Sequence, residues 1–230
     1  QANNVGVDNA TNVSADISID DPYIYNSYGV IYFGNIPAGG DANAGGFNFS
    51  ISNNVPDGHL AEFNITFSSN EGLWDGSFSI PIHAPTFTVS NPSFIDAGGD
   101  GVWDAGEEIN LSLLLNNEGS ADHWAYPGVH LSVIGNDASI NSEYEYFWFY
   151  GLEAGTSNTS NFPVVASNSA NMGTEVSFTA YGLEMDCVQY GNNENCIMGD
   201  EFTFTLTIGL PIDDDLHEPL NLTAATSEDG

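Results

Sequence analysis

Lysine and arginine do not occur anywhere in the 230 residues, against 32 aspartates and glutamates, so the formal net charge at pH 7 is −32. At ordinary usage, roughly 12% basic, a chain of this length would lack both residues by chance with a probability on the order of 10⁻¹³. Their absence removes every lysine or arginine salt bridge. Each carboxylate must then be solvated, hydrogen-bonded, protonated or paired with a cation. It also excludes nucleic acid as a partner, because phosphate binding needs basic counter-charge, and makes an anionic membrane surface unattractive. A protease that cuts after Lys or Arg has no site here, which fits an extracellular or cell-surface location in a protease-rich medium; a halophilic or marine surface composition would explain the absence equally well. No apolar run is long enough to span a bilayer, so membrane insertion is not expected.

Cysteine is nearly absent too. Cys187 and Cys196, in "CVQYGNNENC", flank a Gly/Asn segment that reads as a hairpin stapled by a disulfide. Further Cys or His ligands for a thiolate metal site are missing nearby. The histidines do not pair at metal spacing, and neither a G-x-S-x-G elbow nor a Cys/His dyad signature is found, so no catalytic residue is assigned and an enzyme is not expected.

What remains is 41% hydrophobic and 12% aromatic, enough to fold despite the charge. The apolar residues alternate with period two. Candidate strands are "FTVSNPSFI", "EINLSLLLNN", "GVHLSVIG", "YFWFYGL", "NFPVVAS", "TEVSFTAYG" and "EFTFTLTIG", punctuated by Gly, Asn, Asp and Ser. Seven such strands make one antiparallel sandwich of the immunoglobulin type.

The first third of the chain repeats this unit. "NNVG" at 3–6 matches "NNEG" at 116–119, "FGNIPAGG" at 33–40 matches "FYGLEAGT" at 149–156, and "NNVPDGHLAEFNITF" at 53–67 matches "NSANMGTEVSFTAY" at 168–181. The fold expected is all-β: two immunoglobulin-like antiparallel sandwiches in tandem, the first lacking its N-terminal strands. Residues 1–85 form the incomplete sandwich, 86–211 the complete one with the disulfide hairpin as an insertion, and 212–230 an acidic linker with a last strand. The tail "EPLNLTAATSEDG" can be laid without gaps on "EEINLSLLLNNEG" at 107–119. Leu220 and Leu222 could therefore enter the open edge of a neighbouring copy. Equally, "PLNLTA" could open a further domain of the fibronectin type III kind.

The stretch D-x-x-x-D-G-x-x-D-x-G-E at 96–107, an alternating strand with N-N-x-G, then G-x-x-P-A-G and N-x-x-P-D-G-H, resembles the tandem immunoglobulin-like repeats of large secreted bacterial proteins. Such repeats follow the catalytic domain of gingipain-like peptidases. The resemblance implies a secreted β-sandwich and no catalytic residue, since a peptidase domain would lie outside this chain.

Two segments carry chemistry. Counted on a calcium-loop template, Asp96 is position 1, Asp100 position 5, Gly101 the sharp turn, Val102 the carbonyl position, Asp104 position 9 and Glu107 position 12, with Gly98 where a third carboxylate would stand. Structural calcium is expected, the alternative being an Asp/Gly-rich turn. In "YEYFWFYGL", an extended chain puts Tyr144, Tyr146, Trp148 and Tyr150 on one face and Phe147 and Phe149 on the other. One face enters the core, and the other is an interface to a neighbouring domain or copy, or a stacking platform for glycan. The function expected is that of a non-catalytic subunit of an extracellular fibre, polymerised head to tail by strand donation, or else a spacer or binding region of a larger secreted peptidase or adhesin.

Overall fold

The computed structural model describes residues 1–25, 29–189 and 196–209. The tail with Leu220 and Leu222 and the tip of the disulfide segment lie outside these. The described residues are all-β and antiparallel. In chain order the strands are β1 (Ala2–Asn3), β2 (Ala10–Ile19), β3 (Ile24–Tyr25), β4 (Val30–Ile36), β5 (Asp41–Ala42), β6 (Ser50–Ile51), β7 (Leu60–Ser68) and β8 (Leu73–Pro81), followed by β9 (Phe87–Asp96), β10 (Glu108–Asn117), β11 (Pro127–Ile134), β12 (Ala138–Ile140), β13 (Tyr146–Trp148), β14 (Ser157–Ala166), β15 (Glu175–Glu184) and β16 (Phe202–Thr207). One short helix, α1 (Met185–Gln189), follows β15.

From β9 onward the strands form two four-stranded sheets, ordered β12-β14-β10-β9 and β13-β11-β15-β16. The pattern of β10 shows why. Ile109, Leu111, Leu113 and Leu115 point to one side and are all buried, while Glu108 and Asn110 face water. Burying four aliphatic side chains on one face contributes about 2 kcal/mol each, which fixes the register, because a slip of one residue would expose them all. Facing them from the other sheet are Val129, Leu131, Val176 and Phe178, closed at one end by the fully buried Trp103. The result is a single continuous core.

Before β9 there is one sheet of the same design. Its order, β4-β2-β7-β8, repeats β13-β11-β15-β16 strand for strand. The registers agree as well: Phe63 pairs with Phe78 as Phe178 pairs with Phe204, and the rings stack at 5.1 and 5.0 Å. Opposite this sheet, however, the described residues supply only two-residue ribbons, β1 with β5 and β3 with β6. The segment at 43–49 forms no strand. Instead Phe47 and Phe49 fold over Phe63 and cover part of the face. The core is correspondingly divided, one cluster around Phe63 and another around Val13 and Ile36.

Two local expectations change. The aromatic segment 144–152 is not one strand. Asn141 accepts a bond from the Glu143 N–H and starts a 3-10 turn at Ser142–Tyr144, so strand β13 covers only Tyr146–Trp148. The disulfide does form, between Cys187 and Cys196, but not across two strand arms. An isolated antiparallel bridge joins Leu183, near the end of β15, to Met198, and Cys187 sits on α1.

Candidate functional site

The acidic loop joins β9 to β10 and is organised by its own carboxylates. Asp96 accepts bonds from the Asp100 and Gly101 N–H groups, Asp100 from Val102, and Glu107 from Gly98 and Asp104. Gly101, at φ 81°, takes the left-handed conformation that only glycine adopts cheaply. Burial pushes the Asp96 carboxyl up, but the backbone N–H donors outweigh it and its pKa lies below the ordinary value. Beneath the loop, the indole N–H of Trp103 donates to the Glu107 carbonyl and ties it to the core.

No group of three or more His, Cys, Asp or Glu side chains among the described residues stands at metal-holding geometry. Yet three of the template carboxylates do converge. At the place where a Cβ on Gly98 would stand, Glu107 Oε1 lies 3.0 Å away, Asp96 Oδ2 3.4 Å and Asp100 Oδ1 3.8 Å. A side chain at the third template position would therefore crowd three carboxylate oxygens, each of which accepts a backbone N–H. Asp104 and Val102 lie further along the turn, contributing N–H groups.

The aromatic strand separates its two faces. Phe147 and Phe149 pack on the main core. Tyr146 and Trp148 stack at 5.6 Å on the other side, where the Cys187–Cys196 bridge and Leu183 pack against them. The insertion of this same chain thus covers part of their surface, and both rings stay half-buried. His130 is wedged between the Tyr146 and Tyr181 rings, at 4.6 and 4.8 Å. Burial lowers its pKa, against the opposing pull of Glu145. Tyr144 and Tyr150 remain exposed, Tyr150 beside Tyr126 and near the exposed Trp124.

At the edge of this cluster, His123 Nε2 lies 3.4 Å from Glu184 Oε2, both side chains largely buried. Burial lowers the imidazole pKa and raises that of the carboxyl. Both shifts oppose charging of the two groups, and His123 Nε2 makes no hydrogen bond.

A third constellation was not legible in sequence. Where the first unit passes into the second, Ser120 donates its hydroxyl to Asp57 Oδ1 and its N–H to Asp57 Oδ2, while His83 Nδ1 meets the same hydroxyl at 2.5 Å. Asp57 also accepts the Ala84 N–H. The residue types are those of a nucleophile triad, but the order is wrong. Serine stands between the other two, so the carboxylate takes the hydroxyl proton and leaves the imidazole unoriented. The cluster is a clasp. These residues are 37 and 63 positions apart, and only the motifs that hold them, N-N-E-G and P-D-G-H, were visible.

No protein-family model matches the chain, and no curated protein is significantly similar to it.

Proposed function

We propose that this chain is a non-catalytic extracellular structural protein, made of two copies of one immunoglobulin-like unit, that associates head to tail into a fibre. The first unit would be completed by a strand from a neighbouring copy, Leu220 and Leu222 taking the places that Ile109 and Leu111 hold in β10. What supports this is the contrast between the two units. Both contain the β4-β2-β7-β8 type of sheet, and only the second has a full sheet against it. In the first, β8 leaves Leu73, Trp74 and Phe78 exposed, and an apolar cavity of about 380 Å³ opens between Ala2, Val13, Ile36, Phe67 and Trp74. An apolar face beside an unpaired strand edge is what strand addition uses.

The acidic loop would bind calcium as a structural ion. Asp96, Asp100 and Glu107 would supply carboxylate oxygens, and Asp104 and the Val102 carbonyl would complete the ligands the spacing suggests. The exposed Trp124, Tyr126 and Tyr150 offer a stacking surface of the sort that takes glycans.

A second reading, as a spacer in a larger secreted peptidase or adhesin, is favoured by the clasp at Asp57, Ser120 and His83, which joins consecutive units at a fixed point. Electron microscopy and sedimentation of the natively purified protein separate the two. Filaments support the fibre, and a monomer at every concentration sinks it.

A further inference from the structure

The clasp between the two units is a template for contacts that the same positions make elsewhere. Asn117 is held by the linker: its Oδ1 accepts the Thr86 N–H, and the next residue, Glu118, donates its N–H to the Thr86 carbonyl. Linker residues 84–86 pass so close to Gly119 that a Cβ there would lie 2.6 Å from Thr86 N. Ser120 then bonds Asp57. One unit therefore receives the end of the preceding one on three residues, Glu118, Gly119 and Ser120.

In the first unit the corresponding residues are Val5, Gly6 and Val7. The correspondence rests on hydrogen bonds: Asn4 Nδ2 donates to the Asp8 and Ile36 carbonyls as Asn117 Nδ2 donates to those of Ala121 and Leu152, and each Oδ1 accepts the N–H two residues on. Val5 and Val7 are 95% and 91% exposed, the two most exposed large apolar residues among those described. Gly6 is glycine although its φ is not positive and, apart from Asn4 Oδ1, nothing lies within 4 Å of where its Cβ would stand. At Gly119 the linker backbone crosses the position a side chain would take, whereas beside Gly6 only the Asn4 side chain does so, at 3.1 Å.

The other half of the contact is also duplicated. Gly58 N–H and Gly173 N–H donate to the carbonyls of Ile82 and Ile208, so Met172 stands where Asp57 does, and Leu210, Pro211 and Ile212 follow Ile208 as Ala84, Pro85 and Thr86 follow Ile82. Met172 is 77% exposed. The exchange is concerted. Asp57, Glu118 and Ser120, polar at the internal junction, are replaced by Met172, Val5 and Val7, apolar and exposed.

We propose that two copies of this chain dock end to end, Val5, Gly6 and Val7 of one copy receiving Met172 of the next as Glu118, Gly119 and Ser120 receive Asp57 in the internal clasp. Apolar groups on both sides gain by leaving water together, where the internal junction uses hydrogen bonds. The inference gives the head-to-tail reading above its contact surface and rests on it. It is heterologous, so it propagates and does not close as a twofold dimer.

Among the described residues there is no free cysteine, and the sequence holds only the two that form the disulfide, so cross-linking is clean. Full-length Val7→Cys and Met172→Cys proteins are mixed under mild oxidation. The expected result is a disulfide dimer in the mixture and none from either variant alone. A mixture that associates without cross-linking overturns this interface and leaves fibre formation standing; a chain that stays monomeric at all concentrations overturns both. In a second arm, Met172→Asp alone should weaken association about tenfold, and Val7→Ser added to it should restore most of the loss by rebuilding the Asp57–Ser120 bond. Additive weakening in the double variant would sink the template.

Discussion

Asn4 and Asn117 make corresponding side-chain hydrogen bonds in the two halves of the repeat. Each amide nitrogen donates to a carbonyl four residues on and to one across the unit, and each oxygen accepts the N–H of a glycine two residues on. Each next residue along also has a counterpart: Asn9 accepts from Ala38 as Asp122 accepts from Ala154. Asn117, 1% exposed, closes the end of its sandwich with bonds that alanine cannot make. Asn117→Ala would remove the side-chain partner of the Ala121 carbonyl and of the Thr86 and Gly119 N–H groups, and should cost about 3 kcal/mol in chemical denaturation. Asn4→Ala, at a half-buried site, should cost less. Equal costs would mean that the two turns do not share one role.

The clasp makes the junction sensitive to acid. The Ala84 N–H and then the Ser120 hydroxyl hold the Asp57 pKa below its ordinary value of 3.8. A carboxyl with a depressed folded pKa stabilises fully above its unfolded value and loses that contribution as pH falls through the folded one. Asp57→Asn should therefore be less stable than the parent at pH 7, with the gap closing below about pH 4. Melting temperatures of both proteins from pH 7 to pH 2.5 test this, and a gap that does not change with pH would show that charge plays no part.

Glu184 points the other way. Burial raises its pKa, so ionising it costs stability as pH rises through the folded value. Glutamine keeps the Oε1 that accepts the Ile197 N–H and removes the charge. Glu184→Gln should be more stable than the parent at pH 8. His123, whose pKa burial lowers, is neutral there and does not confuse the comparison. Lower stability of the variant at pH 8 would mean that the carboxylate is paired after all.

For the acidic loop, calcium should raise the melting temperature and a chelator should lower it, by a few degrees for a site of this size. Gly98→Ala distinguishes an ion from a mere turn. Its Cβ would lie 3.0 Å from Glu107 Oε1 and crowd the three oxygens. The calcium response should be lost while stability in chelator changes little. An unchanged calcium response in the alanine variant would place the ion elsewhere.

Strand periodicity was legible because each core strand buries alternate residues, as in β10, and that is a local property. The repeat was legible because its turns depend on fixed residues, Asn4 and Asn117 among them. The fate of the aromatic segment was not. Whether Tyr146 and Trp148 face a partner or the chain's own insertion depends on where α1 places Cys187, a contact from 40 residues away. The clasp was hidden for the same reason. Asp57, His83 and Ser120 are unremarkable in sequence, and only tertiary folding brings them together.

One exchange across the repeat deserves a direct test, because it bears on how the first unit tolerates its thinner second layer. In the second unit Gly182 lets the sheets close: a Cβ there would lie 2.6 Å from Leu115 Cδ1 and 2.7 Å from Phe87 Cβ. By strand register, Phe67 stands at the place of Gly182 and Ala2 at that of Leu115. Large and small have changed sides, and Ala2 and Phe67 share one small apolar cluster. Phe67→Gly should destabilise the first unit by about 4 kcal/mol, since it empties the wall of an existing cavity. Adding Ala2→Leu should recover part of that loss, whereas Ala2→Leu alone should overpack and cost about 1–3 kcal/mol. Coupling of this sign in a double-mutant cycle would show that the first unit is packed to its own pattern. Strict additivity would show that the cavity, and not the exchange, sets its stability.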